Sequence, residues 1–549
     1  MKNSVLMSYI ISLLFSTDYS IAQKPYPIKE QYDYIHSKAV FNGNYGGILN
    51  YLEMTNPLSG YEYGEQLGFV LESYINMYKT TGDKAYLIKF INEALLIMSW
   101  RNTDYKFTND DGYQYMNGLI LWPMAHFSNL ILYQEQNLQN TVIPADLFSI
   151  PNSTFSSNVL PLQSTYSFGY LADWLLHRQV ETLDVIIASH WMGDDKGFKG
   201  KTDDNYPMGI NMQAGFGGAL LYLGQVSSNV PAYSGLASYL YKGAAMARLY
   251  KSDIDIDDRC NCILYKYPLL RTTSNNSYWW YHSGWRIEKK DFCLNSCFPL
   301  SHINQPKYPE YTQFVEDISH AVTTLIIPQV SFEINLFTNG GYPFSNNEMI
   351  RFRNMFTKNI FDGNFSNPGF HNATNGADAP VYPSSYNNQF NILRYSSLGY
   401  MPLYKFDGAD GTATPPSVYD IVSNFYANEV LTSPTSLSGG LYYNGLSQTV
   451  SAQWDKECVN LTLYNRKMVY DQNFIIKDNL VVAPGANDNY YQPGDNSFAE
   501  PIINSDRFTI EPGIIVNMIA GESVLLNPGF HAKTGAIFQV SINPSACPD

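Results

Sequence analysis

The densest group of chemically capable side chains in the sequence is the string Glu316-Asp317-Ile318-Ser319-His320. Residues three and four apart share a helix face, so Glu316 or Asp317 can stand beside His320. A carboxylate in that position would fix the imidazole tautomer and raise its basicity, as a general base near neutral pH requires. The plainer reading of the same string is a helix start, with Asp317 as its cap and His320 as scaffold. Tyr281 and His282, directly after Trp279 and Trp280, form a second set able to move protons. Three further stretches gather carboxylates, amides and rings: Tyr61 to Glu65, Asp110 to Asn117 with Asp111 and Tyr115, and Asp203 to Gln213 with Asp204 and Asn211. For any single ring among them, filling a core is the plainer job.

Other strings carry less chemistry. Asp253-Ile254-Asp255-Ile256-Asp257-Asp258 opens like a calcium loop, but Asp258 stands where Gly belongs and Leu264 where the bidentate Glu belongs. Asp407-Gly408-Ala409-Asp410-Gly411 suits a tight turn without an ion. Gly215-Phe216-Gly217-Gly218 lies inside a helical pattern with no strand before it, so it is not read as a phosphate loop. Neither a G-x-S-x-G elbow nor an H-E-x-x-H helix is present, which lowers esterase and zinc-protease readings.

Composition bounds what these residues can serve. The 549 residues include 34 basic and 49 acidic side chains, a formal charge of −15, and phosphate neutralisation needs a basic face. A nucleic-acid partner is therefore not expected. Hydrophobic residues at 45% and aromatic residues at 15% allow a large core and exclude global disorder. Lys2, the apolar run Val5 to Phe15, and the small residues Ser20 and Ala22 have the layout of a secretory leader over 1–22. The expected location is secreted, periplasmic or cell-surface, with no transmembrane segment. Cys260, Cys262, Cys293 and Cys297 cluster, while Cys458 and Cys547 stand apart. In an exported chain the cluster reads as two disulfides, since C-x-C with C-x3-C is not a usual zinc spacing. No metal or other cofactor is expected.

Apolar residues recur three and four apart over 64–100, broken by Gly82-Asp83, which predicts a helical hairpin. Looser pairs follow at 117–135 with 164–191, 208–224 with 232–250, 312–337 with 346–361, and 387–404 with 416–430. After about residue 435 the runs GLYYNGLSQTVSAQW, VNLTLYNRKMVY and NFIIKDNLVVAP alternate and read as strands. Beyond 508, apolar triplets alternate with Gly-containing turns at a spacing that suits the rungs of a small β stack or solenoid. The fold class expected is mainly α, in segments 23–434, 435–485 and 486–549: helical hairpins, a strand-rich segment and a terminal β module.

Two resemblances attach to these stretches. The segment IEPGIIVNMIAGESVLLNPGFHAKTGAIFQVSI resembles the coat-hanger-stack terminal module of secreted Bacteroidota proteins, with its AG-x-S-x-x-L-x-PGFHA-x-x-G-x-x-F string. His531 falls inside that string and reads as structural. The hairpins, with TGDKAYL after the first helix and Glu316 to Ala321 on a later one, resemble the six-hairpin (α/α) toroids of polysaccharide lyases, glycoside hydrolases and uronyl epimerases. That resemblance implies a ring of hairpins with its ligand groove at one mouth.

It also implies a polysaccharide or oligosaccharide partner, because exposed Trp and Tyr suit the apolar faces of sugars, with carboxylates and amides at their edges. Trp279, Trp280, Tyr115, Asn117, Asn211, Gln213, Glu65, Asp111 and Arg351 are then the candidates for binding. Hydrolysis would use two carboxylates from Glu65, Asp111, Asp204 and Glu316. β-Elimination or epimerisation at a uronic acid would use His320, Tyr281 or His282 as base, assisted by Glu316 and Asp317. Asn211, Gln213 or Arg351 would then neutralise the substrate carboxylate. The charge of −15 weighs against an anionic glycan, while Lys196, Lys199 and Lys201, and Arg351 with Arg353, offer local basic clusters. A non-catalytic glycan- or surface-binding protein of the envelope is the alternative from another class.

Overall fold

The computed structural model describes residues 32–33, 62–108, 114–194, 196–200, 202, 208–250, 253–255, 266–268, 270–280, 316–335, 344–374, 376, 396–409, 416–430, 440–456, 461–463, 466–476, 478–482 and 508–543. Those residues are mostly helical, with strands gathered at the carboxy-terminal end. The leader 1–22, all six cysteines, Asp111, Asp204, Tyr281 and His282 lie outside them, as do the side chains of Glu65 and Trp279.

The first hairpin joins α1 (Glu62–Thr81) to α2 (Ala85–Ser99). Gly82 takes a left-handed φ of 71° and its N–H returns to the Tyr78 carbonyl at 2.7 Å, which ends α1. The Asp83 carboxylate then accepts from Ala85 N at 3.1 Å and opens α2. Next come α3 (Tyr115–Asn129), prolonged by a π turn to Gln134, and α4 (Phe168–His190), capped by Ser167. Between them, where the sequence shows an interruption, a short pair β1 (Val142–Pro144) and β2 (Thr165–Ser167) closes the loop. The hairpin β3 (Trp191–Gly193) and β4 (Gly197–Phe198) leads into α5 (Ile210–Asn229) and α6 (Ala237–Leu249). Two further pairs, β5 (Asp253–Asp255) with β6 (Lys266–Pro268) and β7 (Arg271–Thr272) with β8 (Tyr278–Trp279), precede the remaining helices. These are α7 (Ile318–Thr324), α8 (Ile326–Glu333), α9 (Asn346–Asn354), a 3-10 segment Ser396–Phe406, α10 (Val418–Phe425) and α11 (Gly440–Lys456).

Packing follows chain order. α1 packs on α3, α3 on α5, α5 on α7 and α8, α7 on the 3-10 segment, that segment on α11, and α11 on α1, so the series returns to its start. The partners α2, α4 and α6 lie against α1, α3 and α5, and both α9 and α10 lie against the 3-10 segment. Close approach is bought with glycine. A Cβ on Gly215 would sit 2.4 Å from the Gly118 carbonyl carbon, and one on Gly118 would sit 2.7 Å from Phe216 N. Gly217 and Gly218 face Ile327 and Ile326 in the same way. The glycine run Gly215-Phe216-Gly217-Gly218, read from the sequence as part of a helix, is therefore the contact strip of a central helix.

Residues 440–456 correct the sequence reading: the run expected as a strand is α11. The cause is burial on two sides, against α1 and against the 3-10 segment. Asn444 and Ser447 are buried facing Asn76, and Gly445 lies where a Cβ would meet the Leu398 Cβ at 2.5 Å. Polar and glycine residues thus occupy positions where a half-buried helix would show apolar ones, and the 3.6-residue period is lost.

The strands that follow form one β unit across the expected boundary at 485. They are β9 (Leu461–Leu463), β10 (Arg466–Met468), β11 (Gln472–Ile476), β12 (Asn479–Val482), β13 (Phe508–Ile510), β14 (Ile515–Ala520), β15 (Ser523–Leu526), β16 (Phe530–Ala532) and β17 (Ile537–Ile542). They pair in parallel as three sheets, β9-β12-β15, β10-β13-β16 and β11-β14-β17, so three rungs stack upon each other. The later rungs are 22 residues apart, as Phe508 to Phe530 and Ile515 to Ile537 show. Inward residues make continuous columns, including Phe474, Leu480, Val482, Phe508, Val516 and Met518, all buried. The first rung sits on the α1–α2 turn. Arg466 pairs with Asp83 at 2.7 Å, and the Gln472 amide both accepts from Lys84 N and donates to the Gly82 carbonyl. Among the described residues no helix is long and apolar enough to cross a membrane.

Candidate active site at the start of helix α7

The string that opened the sequence reading enters α7 as an extended segment held on both sides. Glu316 N donates to the Trp280 carbonyl at 2.9 Å, Thr374 N donates to the Glu316 carbonyl at 3.0 Å, and Asp317 bridges to Ala373. Side chains add to this clamp. Trp280, fully buried, donates its indole N–H to Glu316 Oε2 at 3.0 Å. Sequence reasoning offered Trp280 as a sugar platform, and the structure corrects this: the ring has no exposed face.

Asp317 is the cap of α7. Its Oδ1 accepts from Ser319 N at 2.9 Å, the Ser319 hydroxyl at 2.5 Å and His320 N at 3.0 Å. Its Oδ2 lies 2.5 Å from His320 Nδ1. The cap reading and the acid–imidazole reading are thus both realised by one carboxylate, whose two oxygens divide the work. Asp317 and Glu316 are 0% exposed, whereas the His320 side chain is 31% exposed. Of the three, His320 is the group that presents surface to a ligand. A carboxylate at Nδ1 favours the tautomer protonated there, which would leave Nε2 as the basic nitrogen.

Two phenols secure the surroundings: Tyr400 donates to the Ile318 carbonyl and Tyr250 to the Thr324 carbonyl, each at 2.8 Å. Burial holds both well above the usual tyrosine range, helped at Tyr250 by Glu316 and at Tyr400 by Asp317 and Glu316. They are protonated donors, not bases. The nearest donor atoms of Glu316, Asp317 and His320 lie within 4.8 Å of one another, so the trio has the composition and spacing of a metal site. The hydrogen bonds from Trp280, Ser319 and the α7 backbone account for the same arrangement with no ion.

The remaining candidates have local tasks. Asn117, fully buried, accepts from Phe107 N and donates to the Gln114 carbonyl. Gln213 accepts from Phe198 N and donates to the Met208 carbonyl, fixing β4 to α5. Asn211 Oδ1 bonds to Met212 N, and Tyr115 is buried at the start of α3. Arg351 lies on α9, bonded to Asn276 Oδ1 and Tyr278 OH, and its guanidinium lies over the Tyr278 ring. It fastens the β7–β8 hairpin. Asp407 proves to cap α10 by accepting from Val418 N and Tyr419 N.

One titratable group escaped the sequence reading because its members are scattered over four helices and share no motif. His126 Nδ1 lies 2.8 Å from Glu72, its Nε2 lies 3.7 Å from Glu333, and its ring stacks on Tyr222 at 4.4 Å. Lys79 pairs with Glu333, which also accepts from Tyr222 OH at 2.7 Å. Burial alone would raise the Glu333 carboxyl, but Lys79 and His126 hold it well below the usual carboxylate range. This knot ties α1, α3, α5 and α8 together. Comparison with family models, with curated proteins and with solved structures finds no match for this chain.

Proposed function

We propose that the chain is an exported carbohydrate-active enzyme whose helical part is an (α/α) toroid. On this reading it acts on a uronic-acid-containing glycan by proton abstraction at His320. The cyclic order of helix packing supports the toroid. The observation that carries the chemistry is the Asp317–His320 pair, a fully buried carboxylate 2.5 Å from Nδ1 of a histidine that reaches solvent. That is the arrangement of a general base with its positioning residue. In β-elimination Nε2 removes the proton from C5 of the uronate, the electron pair forms a C4=C5 double bond, and the C4–O bond breaks with its electrons on the leaving oxygen, which takes up a proton. In epimerisation the same carbanion is reprotonated on the opposite face. Of the carboxylates named for hydrolysis, Glu316 is buried and bonded to Trp280, while Asp111, Asp204 and the side chain of Glu65 lie outside the described residues.

The test is incubation with neutral and uronic polysaccharides, following reducing ends, the ultraviolet absorbance of unsaturated uronate, and solvent-hydrogen exchange at C5. His320→Ala should lower turnover by about 10²–10⁴-fold, the usual worth of a general base. Asp317→Asn keeps a capping oxygen but removes the charge, so it should lower turnover and shift the pH–rate profile together. Reducing ends without unsaturation, or full activity in His320→Ala, would refute the base role. Silence across the panel with glycan binding retained would leave a binding protein instead.

A further inference from the structure

Elimination needs a second group, because the oxygen that leaves C4 must receive a proton. The phenols beside the site do not supply it: Tyr250 and Tyr400 are buried and donate their O–H groups to carbonyls of α7. A second imidazole, His371, is held against the same helix start. Its segment is fastened on two sides. On one side Asp362 N donates to the Gly369 carbonyl at 3.0 Å and His371 N to the Ile360 carbonyl at 2.7 Å. On the other, Ile318 N donates to the Asn372 carbonyl at 3.2 Å and Thr374 N to the Glu316 carbonyl at 3.0 Å, so that Asp317 faces Ala373 across an antiparallel bridge. The Asn359 amide adds a bond to the Thr374 carbonyl at 2.9 Å. His371 therefore stands one residue before the carbonyl that receives Ile318 N, and His320 stands two residues after that donor.

The side chains around it direct His371 toward the site. Phe370 carries its ring into the core, stacked on Phe356 at 5.7 Å and edge-on to Phe425 at 5.2 Å. Successive side chains of extended backbone point to opposite sides, so His371 turns away from the core that Phe370 enters. It is partly exposed, as is His320. The chain then bends at Asn372 and passes from the Phe361 bridge to the Asp317 bridge. In a pair bonded like Asp317 and Ala373 the Cα atoms lie about 4.5 Å apart, and the residue facing the Asp317 carboxylate is only a methyl.

We propose that His371 is the general acid of the elimination, giving its imidazolium proton to the oxygen that leaves C4 while His320 takes the proton of C5. The assignment rests on the reading of His320 as the base. The balance closes. The C5–H electron pair becomes the C4=C5 bond, the C4–O pair stays with the departing oxygen, and His371 protonates that oxygen. Each imidazole then regains its starting state by proton exchange with water. A base that must be neutral and an acid that must be charged give a bell-shaped pH–rate profile, falling at low pH through His320 and at high pH through His371.

The test uses the full chain in deuterated water with polygalacturonate, alginate, hyaluronate and heparan sulfate. Unsaturated uronate is followed by ultraviolet absorbance, and deuterium at C5 of the recovered polymer by mass spectrometry. His371→Gln should lower elimination by about 10²–10⁴-fold and remove the alkaline fall of the profile. Deuterium uptake should persist in that variant, because the carbanion still forms and returns. His320→Ala should lose both signals. Undiminished elimination in His371→Gln, an unchanged alkaline fall, or loss of exchange together with elimination overturns the acid role and leaves His320 standing. Epimerised polymer without unsaturation does the same, since no C4–O bond is then broken. A wild type that neither eliminates nor exchanges refutes the base reading itself, and the acid role with it.

Discussion

Removing one charge of the Asp83–Arg466 pair should loosen the β stack from the helices. The side chains are 3% and 7% exposed, and Oδ2 and Nη1 are 2.7 Å apart. At an effective dielectric near 20, attraction between such charges is worth about 4 kcal/mol at 4 Å, and desolvation offsets much of it in the intact pair. Truncating one partner leaves the other buried, which typically costs about 3–5 kcal/mol. Arg466→Met preserves bulk over the Phe474 ring, on which the guanidinium lies at 6.0 Å, so packing loss stays small. Asp83→Asn preserves the oxygen that accepts from Ala85 N. Each single variant should therefore lose about 3–5 kcal/mol, and the double variant, with no charge left to bury, should lose less than either. The assay is a double-mutant cycle by urea denaturation, followed by tryptophan fluorescence for the helices and far-ultraviolet dichroism for the whole. Wild type should unfold with the probes together, and the single variants should show the stack melting first. Single losses below about 1 kcal/mol, or strict additivity in the cycle, would falsify the claim that this ion pair couples the two parts.

Two other perturbations follow from buried groups and close contacts. Burial lifts the Glu93 carboxyl from 4.5 to about 7, against the opposing effects of Tyr74 and Lys89. A carboxyl raised on folding favours the folded state at low pH, so this contribution is lost as pH rises from about 4.5 through about 7, a change on the order of 3 kcal/mol that Glu93→Gln should abolish in stability measured at several pH values. Equal pH dependence in wild type and variant would sink it. Gly215→Ala forces a methyl into the backbone of α3 and should cost about 1–3 kcal/mol, while Gly235→Ala, with no atom within 4 Å of the new Cβ, should be close to neutral in the same melts. Indistinguishable melting of the two variants would contradict the helix contact drawn from Gly118 and Gly215.

Much of the helical order was legible because its signals are local. Gly82-Asp83 stops one helix and starts the next through its own backbone and carboxylate, and the short strands from Phe508 onward are written in apolar triplets and turn glycines, although their 22-residue pairing is not. At Asp317 the choice between cap and catalytic partner was not legible, since it depended on where Oδ2 points once Oδ1 has met the α7 backbone. Helix α11 was hidden by having neighbours on two sides. That the first-rung strands belong to the terminal stack was hidden because their partners lie far along the chain, and the titratable knot because Glu72, His126, Tyr222 and Glu333 meet only through packing. Trp280 shows the limit most plainly, since residue type suggested a platform and burial made it an anchor for Glu316.

In the sequence 25 residues separate Val482 of β12 from Phe508 of β13, whereas three separate Leu526 from Phe530 one rung later. In two of the three sheets the first and second rungs therefore pair across 42 and 44 residues, as Arg466 with Phe508 and Gln472 with Val516, whereas the second and third pair across 22. Doubling a loop adds about 0.6 kcal/mol to its closure entropy, a modest but directional bias. In those two sheets closure of the second rung on the third is the less costly step, so the strand bearing Arg466 is biased to join late and to close onto Asp83 as the final seam.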